Sequence, residues 1–223
     1  VPVLVIAFLR RAGGVLQSGR RAIGMARMIF ETPDPICPDR VKLPLAFDPA
    51  RLAADLAAFE SDEWTAHFVR QNYKGDWSAL PLRADAEATH PIMMIASRPG
   101  TTEFADTRFL ARTPYFAEVI AAFQCEITTV RLMRLSPGSE ILEHCDHDLG
   151  AEYGWARIHV PVTTNPDVSF FVNREPVTMA PGEAWYLRLS DPHSAANRGE
   201  TDRVHLVIDA KINDWLAEML AGG

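Results

Sequence analysis

His144 and Asp146 stand two residues apart in the run SEILEHCDHD. Side chains alternate across a β-strand, so in such a run one imidazole and one carboxylate project from the same face while Cys145 points away. His193, forty-nine residues later, completes a set of two histidines and one carboxylate if a neighbouring strand closes onto that face. Three such donors on one side of a metal leave adjacent coordination positions open. That suits a non-haem iron that must bind an oxidant and a chelating cosubstrate together. His147 and Asp148 compete as ligands, but they fall on the opposite parity or past the strand's end and read better as surface or supporting groups.

A second chemical signal lies ten residues beyond His193. In TDRVHLVIDA, Arg203 shares its alternation with His205 and Val207. An arginine in an otherwise apolar strand is costly unless it meets an anion, and its planar guanidinium matches a carboxylate with two parallel hydrogen bonds. A dicarboxylate chelating the iron at one end would bring its far carboxylate there. Arg134 and Arg188 also fall on predicted strands and are candidate substrate anchors, against the commoner case of a solvated arginine. Asn72 and Trp77, with Gly75, are candidates for the substrate entrance. Trp155 and Trp185 read as packing, while Ser194 and Asn197 read either as groups orienting a ligand or as a strand-end turn.

The elements that must position these residues are mainly strands. After Phe123 come eight short runs with β-type alternation: ITTVRLMRL, SEILEHCDHD, ARIHVPVTT, VSFFVN, EPVTMA, EAWYLRL, HSAANR and RVHLVIDA. Pro137-Gly138, Asn165-Pro166-Asp167 and Pro181-Gly182 supply turns between them. Strands in this succession predict a sandwich or barrel. Before them, Pro49–Phe59 has helical spacing with Asp48 as N-cap, and Glu60–Phe68 is read as its extension. Gly75-Asp76 predicts a turn, Trp77–Arg83 a strand, His90–Thr102 a loop with a short strand, and Pro114–Phe123 a second helix. Asn213–Leu220 reads as a C-terminal helix.

The chain has 223 residues, 48% of them hydrophobic and 23% charged, which predicts one soluble domain with a sizeable core. A net charge of −7 argues against a non-specific nucleic-acid binder. Three cysteines, Cys37, Cys125 and Cys145, with no CxxC pair, fit a reducing cytoplasm better than a disulfide framework. The first thirty residues carry five arginines and no acid. Their apolar run precedes the positive charge, unlike a secretory signal, and is too short to span a bilayer. We read residues 1–30 as an over-extended start with the natural initiator at Met25 or Met28, a dangling arm or an atypical anchor being the other readings. Residues 31–223 then form one domain: an α/β part (31–123), a β core (124–211) and a terminal helix (212–223).

EHCDHD, ARIHVPV, APGEAWYL, DPHSAANRG and DRVHLVIDA together resemble the aspartyl/asparaginyl β-hydroxylase family of Fe(II)/2-oxoglutarate-dependent oxygenases, over Thr128–Asp209. They are similar also to bacterial prolyl cis-hydroxylases, which share an HxD motif and a PHSA segment. The resemblance implies a double-stranded β-helix (jelly roll, cupin-like) and a dioxygenase using iron(II), 2-oxoglutarate and O2. It implies that His144 and His193 bind iron, that Arg203 binds the far carboxylate of 2-oxoglutarate, and that Arg157 and His159 also contact the cosubstrate. The founding animal members have glycine where this sequence has Asp146, so the chain sides with the bacterial small-molecule hydroxylases. The implied reaction hydroxylates an unactivated C–H bond of an amino acid, an aspartyl/asparaginyl side chain or a small peptide-like substrate. No membrane or nucleic-acid partner is expected, and self-association is left open. Two rivals remain: a cupin-type metalloenzyme that does not use 2-oxoglutarate, and a non-enzymatic metal-binding β-barrel.

Overall fold

In the computed structural model the described residues are 38–96 and 100–222. The expected N-terminal extension, residues 1–30, and Cys37 lie outside them. The described chain begins with β1 (Arg40–Ala46), α1 (Pro49–Leu56), β2 (Thr65–Ala66), β3 (Tyr73–Lys74) and β4 (Trp77–Asp85). Then come α2 (Pro91–Ile95), β5 (Phe104–Asp106), α3 (Pro114–Ala121), β6 (Ile127–Leu135) and β7 (Glu140–His144). The remainder is β8 (Trp155–Thr163), β9 (Val168–Val172), β10 (Glu175–Pro176), β11 (Glu183–Leu187), β12 (His193–Asn197), β13 (Arg203–Lys211) and α4 (Asp214–Ala221).

Among the described residues these strands form two antiparallel sheets. The larger runs β1-β11-β8-β13-β6-β4-β2 with β5 on β4, and the smaller runs β10-β9-β12-β7-β3. This is the jelly roll implied by the resemblance. Residues before Phe123 are not a separate layer, since β1, β2, β4 and β5 all enter the large sheet.

Strand parity explains how the layers stack. On β13, Val204, Leu206 and Ile208 face the core between the large sheet and the helices, where Leu52 of α1, Phe116 and Val119 of α3 and Leu216 and Leu220 of α4 pack. Each fully buried aliphatic there contributes about 1.5–3 kcal/mol. The alternate residues Arg203, His205, Val207 and Asp209 face the space between the sheets. The second core there combines Met133, Leu135 and Val207 of the large sheet with Ile141, Phe170, Val172 and Ala195 of the small one. The helices that close the outer face are capped by their own sequence. The Asp48 side chain accepts from Ala50 N at 2.8 Å with Pro49 following, and the Asn213 side chain accepts from Leu216 N at 3.1 Å.

Some expectations need correction. Glu60–Phe68 does not continue α1; Thr65–Ala66 pairs with β4 instead. Among its described residues the stretch His90–Thr102 holds a helix, α2, rather than a strand. The run EPVTMA is a strand over Glu175–Pro176 alone, although Val177 and Met179 are buried between the sheets. The run containing the HxD pair ends as a strand at His144, so Asp146 sits in the loop beyond it.

Candidate metal and cosubstrate site

The register of the small sheet sets His193 directly opposite His144. Their rings lie 4.3 Å apart, centroid to centroid. Asp146 reaches them from the loop, where its backbone N–H donates to Leu189 O at 2.8 Å, and its Oδ1 comes 3.7 Å from His144 Nε2. One ligand atom from each of the three side chains lies within 4.8 Å of the others. The expected convergence therefore occurs, through a loop rather than strand alternation.

Both imidazoles are oriented by backbone. His144 Nδ1 is 2.7 Å from Leu142 O and His193 Nδ1 is 3.0 Å from Asp191 O. Carbonyl oxygens only accept, so each Nδ1 carries the proton and each Nε2 keeps a free lone pair for the cluster. Burial pushes His193 down to about 4, so it is neutral across the physiological range. Burial by itself would raise the Asp146 carboxyl, but the Arg157 guanidinium beside it outweighs burial and holds Asp146 below its ordinary value. Two imidazoles presenting Nε2 and one ionised carboxylate fit a divalent iron with positions left open. Cys145 is exposed, and His147 and Asp148 are exposed at the mouth outside the cluster.

The three groups line a cavity of about 620 Å³ shared with Arg203, Arg157, His159, Arg131, Asp209, Asn72 and Trp77. Arg203 is buried, and among the described residues no carboxylate pairs with it. Its Nη2 donates to His205 Nδ1 at 2.8 Å, Phe170 lies 5.6 Å from its guanidinium carbon, and its Nε has no partner. Burial pushes its guanidinium down to about 9. A buried cation with an unused N–H in a cavity wall is what a carboxylate would satisfy. Because His205 Nδ1 must accept from Arg203, the 3.2 Å contact from His159 Nδ1 is a donation, and His159 Nε2 is left bare and unpartnered.

Other expected residues are placed differently. Arg157 lines the cavity, but its donors go to two carboxylates: Nη1 to Asp146 Oδ2 at 2.6 Å, and Nε and Nη2 to Asp209 at 2.6 and 3.0 Å. Arg134 does not reach the cavity. It sits on the helix-side parity of β6, with Nε donating to Ser78 at 3.1 Å and its guanidinium over Trp64 at 4.4 Å. Arg188 also lies outside and pairs with Asp191, whose carbonyl orients His193. Trp155 lines the cavity, whereas Trp185 packs against the second core. Ser194 lines the cavity, and buried Asn197 ties the turn after β12 by donating to Leu135 O and Thr201 O.

Sequence reasoning missed Arg131, Asp209 and His67. Arg131 and Arg134 are three apart and so take opposite faces, and alternation does not say which is inner. Asp209 was readable, being an acid on the parity of Arg203. His67 stacks on Trp77 at 3.6 Å and lines the cavity; burial pushes it down to about 4.

The model of the family described as Aspartyl/Asparaginyl beta-hydroxylase matches residues 50–212. L-proline cis-4-hydroxylase of Rhizobium meliloti (strain 1021) is 29% identical over 165 residues, 73% of this chain and 57% of its own length. The chain thus spans little more than half of that curated relative. Among solved structures, an oxidoreductase of the 2OG-Fe(II) oxygenase family from Burkholderia pseudomallei covers 78% of this chain and 86% of its own. It matches with a TM-score of 0.51 at 17% identity, a likeness of fold.

Proposed function

The chain belongs to the aspartyl/asparaginyl β-hydroxylase family, and from that premise we propose that it is an iron(II)- and 2-oxoglutarate-dependent dioxygenase hydroxylating a small amino acid or peptide-like substrate of the prolyl kind. The observation that carries the reading is Arg203, a buried guanidinium without a carboxylate partner among the described residues, in the same cavity as the His144/Asp146/His193 cluster. In this reading His144, Asp146 and His193 hold iron(II), and Arg203 holds the far carboxylate of 2-oxoglutarate. A cupin-type enzyme without 2-oxoglutarate, or a metal-holding barrel, would leave that arginine buried to no purpose.

Bound iron with 2-oxoglutarate and O2 supplies the oxidation, one oxygen atom entering a substrate C–H bond as 2-oxoglutarate becomes succinate and carbon dioxide. The protein's part is placement and exclusion of water. The Leu142 and Asp191 carbonyls engage both Nδ1 atoms, so that both Nε2 lone pairs would be free to hold the metal. Phe170 and Met133 line the cavity with apolar surface. The stacked His67–Trp77 pair and Asn72 form a wall against which a substrate ring can lie. A cavity of about 620 Å³ is in the range of small-ligand sites and suits a free amino acid beside the cosubstrate. The cysteine usage supports a cytoplasmic setting, and among the described residues no helix is long and apolar enough to cross a membrane.

The test is anaerobic addition of 2-oxoglutarate to the iron(II)-loaded protein, followed by a screen of proline-like amino acids for succinate release. A weak visible metal-to-ligand charge-transfer band is expected, and its absence in a folded, iron-loaded sample would refute the reading.

A further inference from the structure

We infer that Arg157, Asp209 and Arg131 are positioning residues for the Asp146 carboxylate, a buried ladder that grips one of its oxygens and leaves the other for the metal. The inference rests on the reading of Asp146 as an iron ligand and gives Arg157 a role different from the cosubstrate contact implied by resemblance.

Asp146 lies beyond the end of β7, so no strand pairing fixes its side chain. Its Oδ2 is held by Arg157 Nη1 at 2.6 Å, while Oδ1 faces His144. Arg157 can hold it in place because its other edge is clamped by both oxygens of Asp209 on the next strand. Asp209 is fixed in turn by Thr129 Oγ1 at 2.9 Å and by a short ion pair to Arg131 Nη2. Its backbone carbonyl accepts from Thr128 at 3.0 Å. Arg131 Nη1 then ends the ladder on Ile95 O at 2.7 Å, the last residue of α2.

The charges alternate, carboxylate, guanidinium, carboxylate, guanidinium, and they cancel. An anionic substrate group would have to displace Asp146 or Asp209 to reach Arg157, which argues against a carboxylate subsite at that residue. A buried ionic ladder is a poor stabiliser compared with apolar packing, so a ladder ending on a metal-facing carboxylate points to orientation. Hydrogen-bonded partners of a ligating carboxylate set its direction and are worth roughly 10–100-fold in metal affinity.

Manganese(II) is the probe, titrated into the full chain while the signal of the free ion is read by electron paramagnetic resonance. Arg157→Lys and Asp209→Asn should each raise the manganese dissociation constant by roughly 10–100-fold while circular dichroism shows the fold retained. In an Asp146→Ala background, Arg157→Lys should add no further loss, as expected of a group acting through that carboxylate. If Asp209→Asn does not fold, Thr129→Val, which removes the hydrogen bond Thr129 donates to Asp209 and the one it accepts from Arg131, should show the same direction with a smaller fold-change. A folded Arg157→Lys protein with wild-type manganese affinity would overturn the inference, and a raised substrate KM in that protein would assign Arg157 to the substrate. Failure of the oxygenase reading shows separately, as absence of the 2-oxoglutarate band in the wild type.

Discussion

Replacing Arg203 by methionine should stabilise the unliganded protein and cripple cosubstrate binding. Arg203 is 2% exposed, and burial alone lowers its guanidinium from 12.5 to about 9. That drop, 12.5 − 9 = 3.5, corresponds at about 1.4 kcal/mol each to on the order of 5 kcal/mol against the buried cation. The hydrogen bond to His205 and the Phe170 face recover part of it, and methionine fills similar space without charge. A net gain of about 2 kcal/mol is expected, or a rise of about 4–8 °C in Tm for a domain of this size. Losing the buried partner of a carboxylate costs about 3 kcal/mol, roughly 150-fold in the 2-oxoglutarate dissociation constant. Scanning fluorimetry of the metal-free protein reads the first effect, and anaerobic titration of the iron(II) form reads the second. A variant that melts lower than wild type yet binds 2-oxoglutarate equally well would make Arg203 a structural residue and refute the reasoning.

Two further outcomes follow from the site. Stability of the chelator-treated protein should fall as pH drops from about 6.5 toward 4, because His67 stays neutral when folded to about 4 but protonates near its ordinary value of 6.5 when unfolded. At pH 5 its share is about 2 kcal/mol, so His67→Phe should lessen the fall of the urea midpoint between pH 7.5 and 5, the share of buried His193 remaining; equal slopes in both proteins would refute the assignment. Arg134→Ala should leave substrate KM within about twofold and lose at most about 1 kcal/mol from its contact with Trp64, as urea titration and succinate release will show.

What was legible in the sequence was parity. ITTVRLMRL and the RVHLVIDA strand occupy the predicted span or one residue more, because alternation and turn residues agree. Pro181-Gly182 turns as read, with Gly182 at φ +83° and its would-be Cβ against Phe47 O. Tertiary contacts decided the rest. Thr65–Ala66 is drawn from the α1 pattern by its pairing with β4, and α2, five residues long, ends on the carbonyl that Arg131 binds. The alternating run Arg40–Ala46 is an edge strand, paired on one side only, which is why Pro44 is tolerated within it. His144, Asp146, His193 and Arg203, picked out by residue type and spacing, all line one cavity. The choice between Arg131 and Arg134 needed to know which face of β6 the helices cover.

One strand carries the groups of both ends of the cavity. Arg203 and Asp209 lie three pleats apart on β13, roughly 20 Å at the rise of a strand. Their separation is therefore counted in residues and cannot be retuned by side-chain motion. Inserting or deleting one residue between them would turn one set of inward groups toward the helices and bring aliphatic side chains into the cavity. Diversity introduced into this chain should therefore come by substitution along β13, and changes of length belong in the loops at its ends.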